Sequence, residues 1–279
     1  EQFRREDTWR KTIPIQKLPE SWTGKKYAIH QAVSKAEKDI LLFTDADCIP
    51  SSSQWIRTMA SGFNEDTDII LGYSPYHRKS GWLNLFIQFE TLWVAMQYLG
   101  FSLLGKTYMG VGRNMAIRRD CYDLNYLEKI RALEGGDDDL MIAHLARKNN
   151  VKVEIRKETF TYSQPKTSLK TYLKQKIRHL AAGKHYHKKD QTLLAIFTLS
   201  CVFMWGLLAF LLLAGKNLTA LLMVFGVRSL VVYPILHRLG RKLNTDIDFW
   251  ALPFLDLCYC FYYPWVAIKA LATKQVEWK

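Results

Sequence analysis

Residues 192–214, TLLAIFTLSCVFMWGLLAFLLLA, run through twenty-three positions without a charge. A bilayer's hydrocarbon core takes about 20 apolar helical residues, so this run reads as a membrane span. Two further candidates follow, 218–236 with Arg228 inside it and 249–272 with Asp256, Pro264 and Lys269. The first two thirds of the chain mix charge, apolar runs and turn residues. The expected organisation is a folded domain over 1–190 and a membrane region over 191–279 with two or three spans.

Charge orients this arrangement. The chain has 39 Lys and Arg against 26 Asp and Glu, a net charge of +13. The tract before the first span is basic, and so is HRLGRKLNTD at 237–246. Basic loops stay cytoplasmic, and two crossings between these tracts agree with that rule. A third crossing would carry KQVEWK, with two lysines, to the far side. The third segment therefore stays open between a span and an interfacial or re-entrant helix. The basic face suits anionic lipid headgroups. No nucleic-acid motif accompanies the charge, so no nucleic acid is expected as a partner. Five cysteines, Cys48, Cys121, Cys201, Cys258 and Cys260, include no CxxC pair. Neither a disulfide framework nor a zinc site is implied.

The first two thirds alternate helix and strand. GKKYAIHQAVSKAEKD from Gly24 places Ala28, Ile29, Ala32, Val33 and Ala36 at helical spacing. The short run Ile40 to Phe43 suits a buried strand, and IILGYSP from Ile69 suits another. Ser51–Ser53 before QWIRTMASGF reads as a cap and a helix. GVGRNMAIRR at 110–119 is a loop entering a strand, and VKVEI at 151–155 alternates like one. Such alternation predicts an open α/β sheet. Residues 82–104 are apolar enough to span, but Asn84, Gln88, Glu90 and Gln97 interrupt them. A charge in mid-span is costly, so a buried or interfacial helix is expected there. A basic helix is expected from Ser168 to Lys189.

Carboxylates mark the candidate chemistry. Asp45 and Asp47 follow the Ile40–Phe43 strand, at the strand end where open α/β sheets bind ligands. Two hard carboxylates at one spot can hold a divalent cation whose shell is completed by phosphate and water. Asp137, Asp138 and Asp139 follow Gly135 and Gly136 and open a helix. The helix dipole favours acids there, and one of them can serve as a general base. Gln175, Lys176, Arg178 and His179 lie on the basic helix, where an Arg fork can bind phosphate oxygens. An acidic metal pair, a base and a phosphate-binding cation together fit sugar transfer from a nucleotide diphosphate.

GKKYAI (24–29), FTDADCIP (43–50), GVGRNMAIRR (110–119), GDDDL (136–140) and QKIRH (175–179) stand in this order. In that order they resemble the membrane-associated glycosyltransferases of family 2, over residues 20–190. The resemblance implies a GT-A fold, Rossmann-like and nucleotide-sugar-binding, followed by transmembrane helices. It implies an inverting, metal-dependent transferase using Mn²⁺ or Mg²⁺. The donor would be a nucleotide-diphosphate sugar and the acceptor a lipid-linked or membrane-adjacent glycan. By that resemblance Asp45 and Asp47 are the metal pair, Asp47 the more direct ligand. Asp138 is the base, with Asp137 beside it. Gln175, Arg178 and His179 match the family's substrate-binding Gln-x-x-Arg-Trp motif, with Arg178 meeting the diphosphate; Gly112, Arg113 and Asn114 line the sugar or acceptor pocket, and Lys25 lies near the nucleotide. The resemblance places the enzyme in the plasma (inner) membrane with its catalytic domain cytoplasmic. His179 stands where processive synthases carry Trp, which speaks against a long polymer as product. The family's first strand has no counterpart before residue 20, so an N-terminal truncation is expected. A processive polysaccharide synthase and an inactive membrane scaffold are the alternatives.

Overall fold

The structure is a computed structural model that describes residues 11–215 and 217–272. In chain order it runs α1 (Gly24–Ser34), β1 (Ile40–Phe43), β2 (Ile49–Pro50), α2 (Trp55–Ala60), β3 (Ile69–Gly72) and α3 (Trp82–Leu103). Then come β4 (Met115–Arg118), α4 (Leu124–Lys129), α5 (Asp139–Leu145), β5 (Val151–Glu154), β6 (Thr161–Tyr162) and α6 (Leu169–Ala181). Three long helices close the described chain: α7 (Lys188–Ala214), α8 (Leu218–Lys242) and α9 (Leu252–Ala272).

The main sheet is mixed, in the order β1-β4-β3-β5. β4 runs antiparallel to both β1 and β3, while β3 and β5 are parallel. This register decides where the chemistry collects. Phe43 and Leu71 both lie opposite Met115. The start of β4 therefore meets the ends of β1 and β3, which brings the 110–114 loop beside Asp45 and Asp47. A small second sheet, β2 with β6, ties the segment after Asp47 to Thr161–Tyr162.

α3 is not exposed apolar surface. It packs on β5, α8 and α9. Phe86, Ile87, Phe89, Leu92, Trp93 and Leu99 are buried there, each stabilising by roughly 1.5–3 kcal/mol. This bears out the buried-helix reading of residues 82–104. α7 is the opposite case. Ile196, Leu199, Phe203 and Phe210 stand exposed along it. Three helices, Lys188–Ala214, Thr219–Lys242 and Phe249–Ala272, are long and apolar enough to cross a membrane.

Two expectations are corrected. The basic helix does not run unbroken from Ser168 to Lys189. Ser168 caps it, its hydroxyl accepting from the Thr171 amide. It stops at Ala181, passes through a 3₁₀ turn at Ala182–His185, and a new helix starts at Lys188. Gln191 supplies the reason: its amide donates to the carbonyls of Gly183, Lys184 and Tyr186 at 3.0–3.1 Å, so the freed carbonyls of the break are satisfied. Second, 237–246 is not all loop. α8 continues to Lys242, because Arg and Lys favour helix and the turn comes only at Asn244, φ +52°.

α9 touches both the membrane helices and the folded domain. Its Asp256 and Cys260 touch Arg228 and Cys201, in the middles of α8 and α7. Tyr259 and Tyr262 pack on Phe89 and Phe86 of α3, and Tyr262 stacks on Tyr172 of α6. This helix is as much a wall of the folded domain as a membrane element. The KQVEWK end lies outside the described residues.

Candidate active site

Lys25 stands at the centre of the acidic residues. It leaves the first turn of α1 and its ammonium contacts Asp45 Oδ1 at 3.0 Å and Asp137 Oδ2 at 2.8 Å. Burial works against that charge, but Asp137, Asp138 and Asp45 outweigh it and hold Lys25 well above the usual ammonium range. One cation thus joins the end of β1 to the loop before α5. Its neighbour Lys26 has a different task. It is 1 % exposed and donates to the carbonyls of Leu133 and Gly135. It pins the turn that delivers the three aspartates, and burial lowers its pKa.

That turn needs its glycines. Gly135 and Gly136 have φ of +76° and +82°, and a Cβ on Gly136 would meet Leu140 at 2.5 Å. Beyond it, Asp138 caps α5 and accepts twice from backbone: Asp139 N–H to Oδ1 at 2.8 Å and Gly112 N–H to Oδ2 at 2.9 Å. Burial and the adjacent Asp137 push its carboxyl up; Lys25 and the two amides pull it down, and the net direction is up. Asp139 points elsewhere. Tyr186 donates to its Oδ2 at 2.6 Å, and burial beside Asp138 raises its pKa as well.

These groups open into one cavity of about 1330 Å³. Lys25, Asp45, Asp47, Asp137 and Asp138 line one end. Gln175, Arg178 and His179 line it from α6, so residues 150 positions apart in sequence share one cavity. His179 is exposed on α6 and lines the cavity. The protein around its ring, with Lys176, Arg178, Arg113 and Lys25, lowers its pKa well below the usual range. Asp47 is exposed, and Cys48 lies 3.8 Å from its Oδ1.

The 110–114 loop divides its work. Arg113 lines the cavity, held by Ser163 Oγ at 2.7 Å and stacked 4.5 Å over Tyr76. Gly112, expected from sequence to line the pocket, does not line the cavity; it serves through its amide, and a Cβ there would stand 3.1 Å from Asp138 Oδ2. Asn114 does not line the pocket, which corrects the reading from sequence. It is fully buried, its amide donating to the carbonyls of Tyr73 and Thr159 and accepting from Trp55 Nε1. With both amide hydrogens used and the side chain fully buried, it is out of a sugar's reach; it fastens the end of β3 to Thr159.

Sequence reasoning missed several groups. Glu90 and Lys176 form an ion pair at 2.5 Å across α3 and α6, 5 % and 13 % exposed. Tyr186, Ser163 and Tyr98 are cavity residues as well. Glu90 did signal itself as a charge in an apolar run, but its partner lies far along the chain. Removing one member of a buried pair leaves the other uncompensated, a loss of about 3–5 kcal/mol. Lys176→Met is therefore expected to lower unfolding stability by that amount, and adding Glu90→Met to restore most of it. Equal stability of single and double variants in chemical denaturation would contradict the pairing.

Two carboxylates offer hard oxygen donors for a cation: Asp47, which forms no ion pair among the described residues, and Asp45, shared with Lys25. No cluster of three or more His, Cys, Asp or Glu side chains that could hold a metal occurs among the described residues. The donor set fits Mg²⁺ or Mn²⁺ only with phosphate and water completing the shell. All five cysteines are free thiols. The family model for glycosyl transferase family 21 matches residues 8–279. No curated protein matches the chain.

Proposed function

The chain belongs to glycosyltransferase family 21, and from that premise we propose that the cavity transfers a sugar, with inversion, from a nucleotide-diphosphate donor to a lipid-linked or membrane-adjacent acceptor. A glycosyl transfer function and membrane association follow from the family and the three apolar helices. The observation that carries the finer reading is the convergence of Asp45, Asp47, Asp138 and Arg178 on one cavity. The mixed sheet with acidic residues at the end of β1 supports a GT-A domain. The motif order keeps the likeness to family 2 as part of this reading.

Donor binding falls to the end of β1 and to α6. Arg178 offers a planar fork to diphosphate oxygens, with Gln175 and His179 beside it, and Lys25 adds a point charge. Asp47 and Asp45 would hold Mn²⁺ or Mg²⁺, which when bound neutralises charge developing on the departing diphosphate. Asp138 takes the proton from the acceptor hydroxyl. Its raised carboxyl makes it a stronger base than an ordinary aspartate, and the amides of Gly112 and Asp139 fix its orientation. The hydroxyl then attacks the anomeric carbon from the face opposite the diphosphate, and a single displacement inverts the centre.

The acceptor end is formed by α3, α7 and α9, through Glu90, Gln97, Leu194 and Tyr263. Two of these helices are candidate membrane helices, which supports an acceptor arriving from the bilayer. The plasma (inner) membrane, a cytoplasmic catalytic domain and a re-entrant α9 belong to the same reading.

Membranes holding the protein test it directly. A panel of labelled nucleotide sugars is supplied with Mn²⁺ or with EDTA, and lipid-extractable label is counted. One donor is expected to label lipid only with metal. Metal-independent transfer would remove the role given to Asp45 and Asp47; no transfer and no donor binding would remove the enzyme reading.

A further inference from the structure

A second groove, of about 770 Å³, lies between the end of α8 and the segment Val153–Glu158. It shares no lining residue with the large cavity. One wall carries Arg238, Arg241 and Lys242. Their spacing of three and four places them on one helix face, where like charges repel. The other wall carries Arg156, Lys157, Glu154 and Glu158. Glu154 is already engaged: Arg156 holds it at 2.5 and 3.0 Å. Among the described residues, Lys157, Arg238, Arg241 and Lys242 form no ion pair.

The two walls belong to one body. Just past α8, Thr245 Oγ1 bonds Tyr73 OH at 2.8 Å and Asn244 bonds Tyr162 OH at 2.6 Å. The cations are thus held together in excess: Glu154 is taken by Arg156, and Glu158 is a single carboxylate against Lys157, Arg238, Arg241 and Lys242, which costs stability unless an anion completes the groove. Their level along α8 names the anion. Val227, Leu230, Val231 and Ile235 stand exposed on α8 at 64, 78, 54 and 51 %. Arg238 comes within about one turn, roughly 5 Å, of the last of them. Trp250 follows, 84 % exposed, in the manner of residues that sit at headgroup depth. Arg forks and a lysine at that depth match phosphate oxygens.

We propose that this groove binds the phosphate of an anionic phospholipid headgroup, fixing the end of α8 and the folded domain to the bilayer surface. The site is separate from the donor cavity, and its occupancy does not depend on the transfer chemistry.

Native mass spectrometry of the full chain in detergent micelles tests it, with phosphatidic acid, phosphatidylcholine and inorganic phosphate as probes. Phosphatidic acid is expected to bind the wild type well ahead of phosphatidylcholine. R238Q/R241Q/K242Q is expected to weaken it by about a hundredfold, from a contribution near fivefold per charge. K129Q/K170Q/K174Q, which removes the same charge from exposed sites on α4 and α6, is expected to bind as wild type. Arg241→Gln alone, near fivefold weaker, serves if the triple variant unfolds. Equal binding by wild type and R238Q/R241Q/K242Q would overturn the site, as would an equal loss in K129Q/K170Q/K174Q. Displacement of the lipid by inorganic phosphate at equal concentration would overturn the lipid as its source, and persistence of the lipid supports it.

Discussion

Asp138→Asn is expected to lower the transfer rate by about 10²–10⁴-fold, the usual contribution of a positioned general base. Donor binding is expected to change little, because Arg178, Asp45 and Asp47 are untouched. The substitution is nearly isosteric but not neutral in hydrogen bonding. Asp138 accepts from two amides, one at each oxygen, and an Asn can accept at only one of them. Thermal unfolding of the variant therefore accompanies the assay. A stable variant that binds donor and does not turn over assigns proton removal to Asp138. A stable variant with wild-type turnover would pass the role to Asp137 or Asp139. The wild-type rate is expected to rise with pH along a limb above the ordinary aspartate range of about 3.9, because Asp138 works deprotonated and its carboxyl is pushed up. A limb at or below that range would contradict the burial argument.

Local physics made much of this site legible. The strand Ile40–Phe43, the helix from Gly24 and the glycine turn before Asp137 all rest on short-range signals, and each stands where periodicity and turn chemistry put it. What stayed hidden needs two distant segments at once. Glu90 declared a cost in the sequence, but nothing near it named Lys176. Asn114 directly follows Arg113, which does face the site, and only the packing of Trp55 and β3 shows that its amide is consumed. Tyr186 sits in a tract that reads as continuous basic helix. The break there depends on Gln191 reaching back to three carbonyls, a contact no helical period contains. The sheet order was equally out of reach, since the antiparallel insertion of β4 between β1 and β3 leaves no local mark.

Lys25→Met separates binding from base strength. In the wild type one ammonium serves Asp45 and Asp137 directly and acts on Asp138 through space. A nearby cation favours the ionised carboxylate and so lowers its pKa. Its removal is expected to move the acid limb of the rate profile upward. At a pH between the old and new limbs the variant then loses rate, and recovers much of it as pH rises. The sign is fixed by the chemistry: the base works ionised, Lys25 favours the ionised form, so losing Lys25 demands a higher pH. Arg at this position keeps the charge and is expected to keep the limb near its wild-type place. A role in nucleotide contact alone predicts something else, a higher KM for donor with the limb unmoved. If Lys25→Met raises KM and leaves the pH profile where it was, Lys25 belongs to the donor only, and the raised carboxyl of Asp138 is set by burial and Asp137 without it.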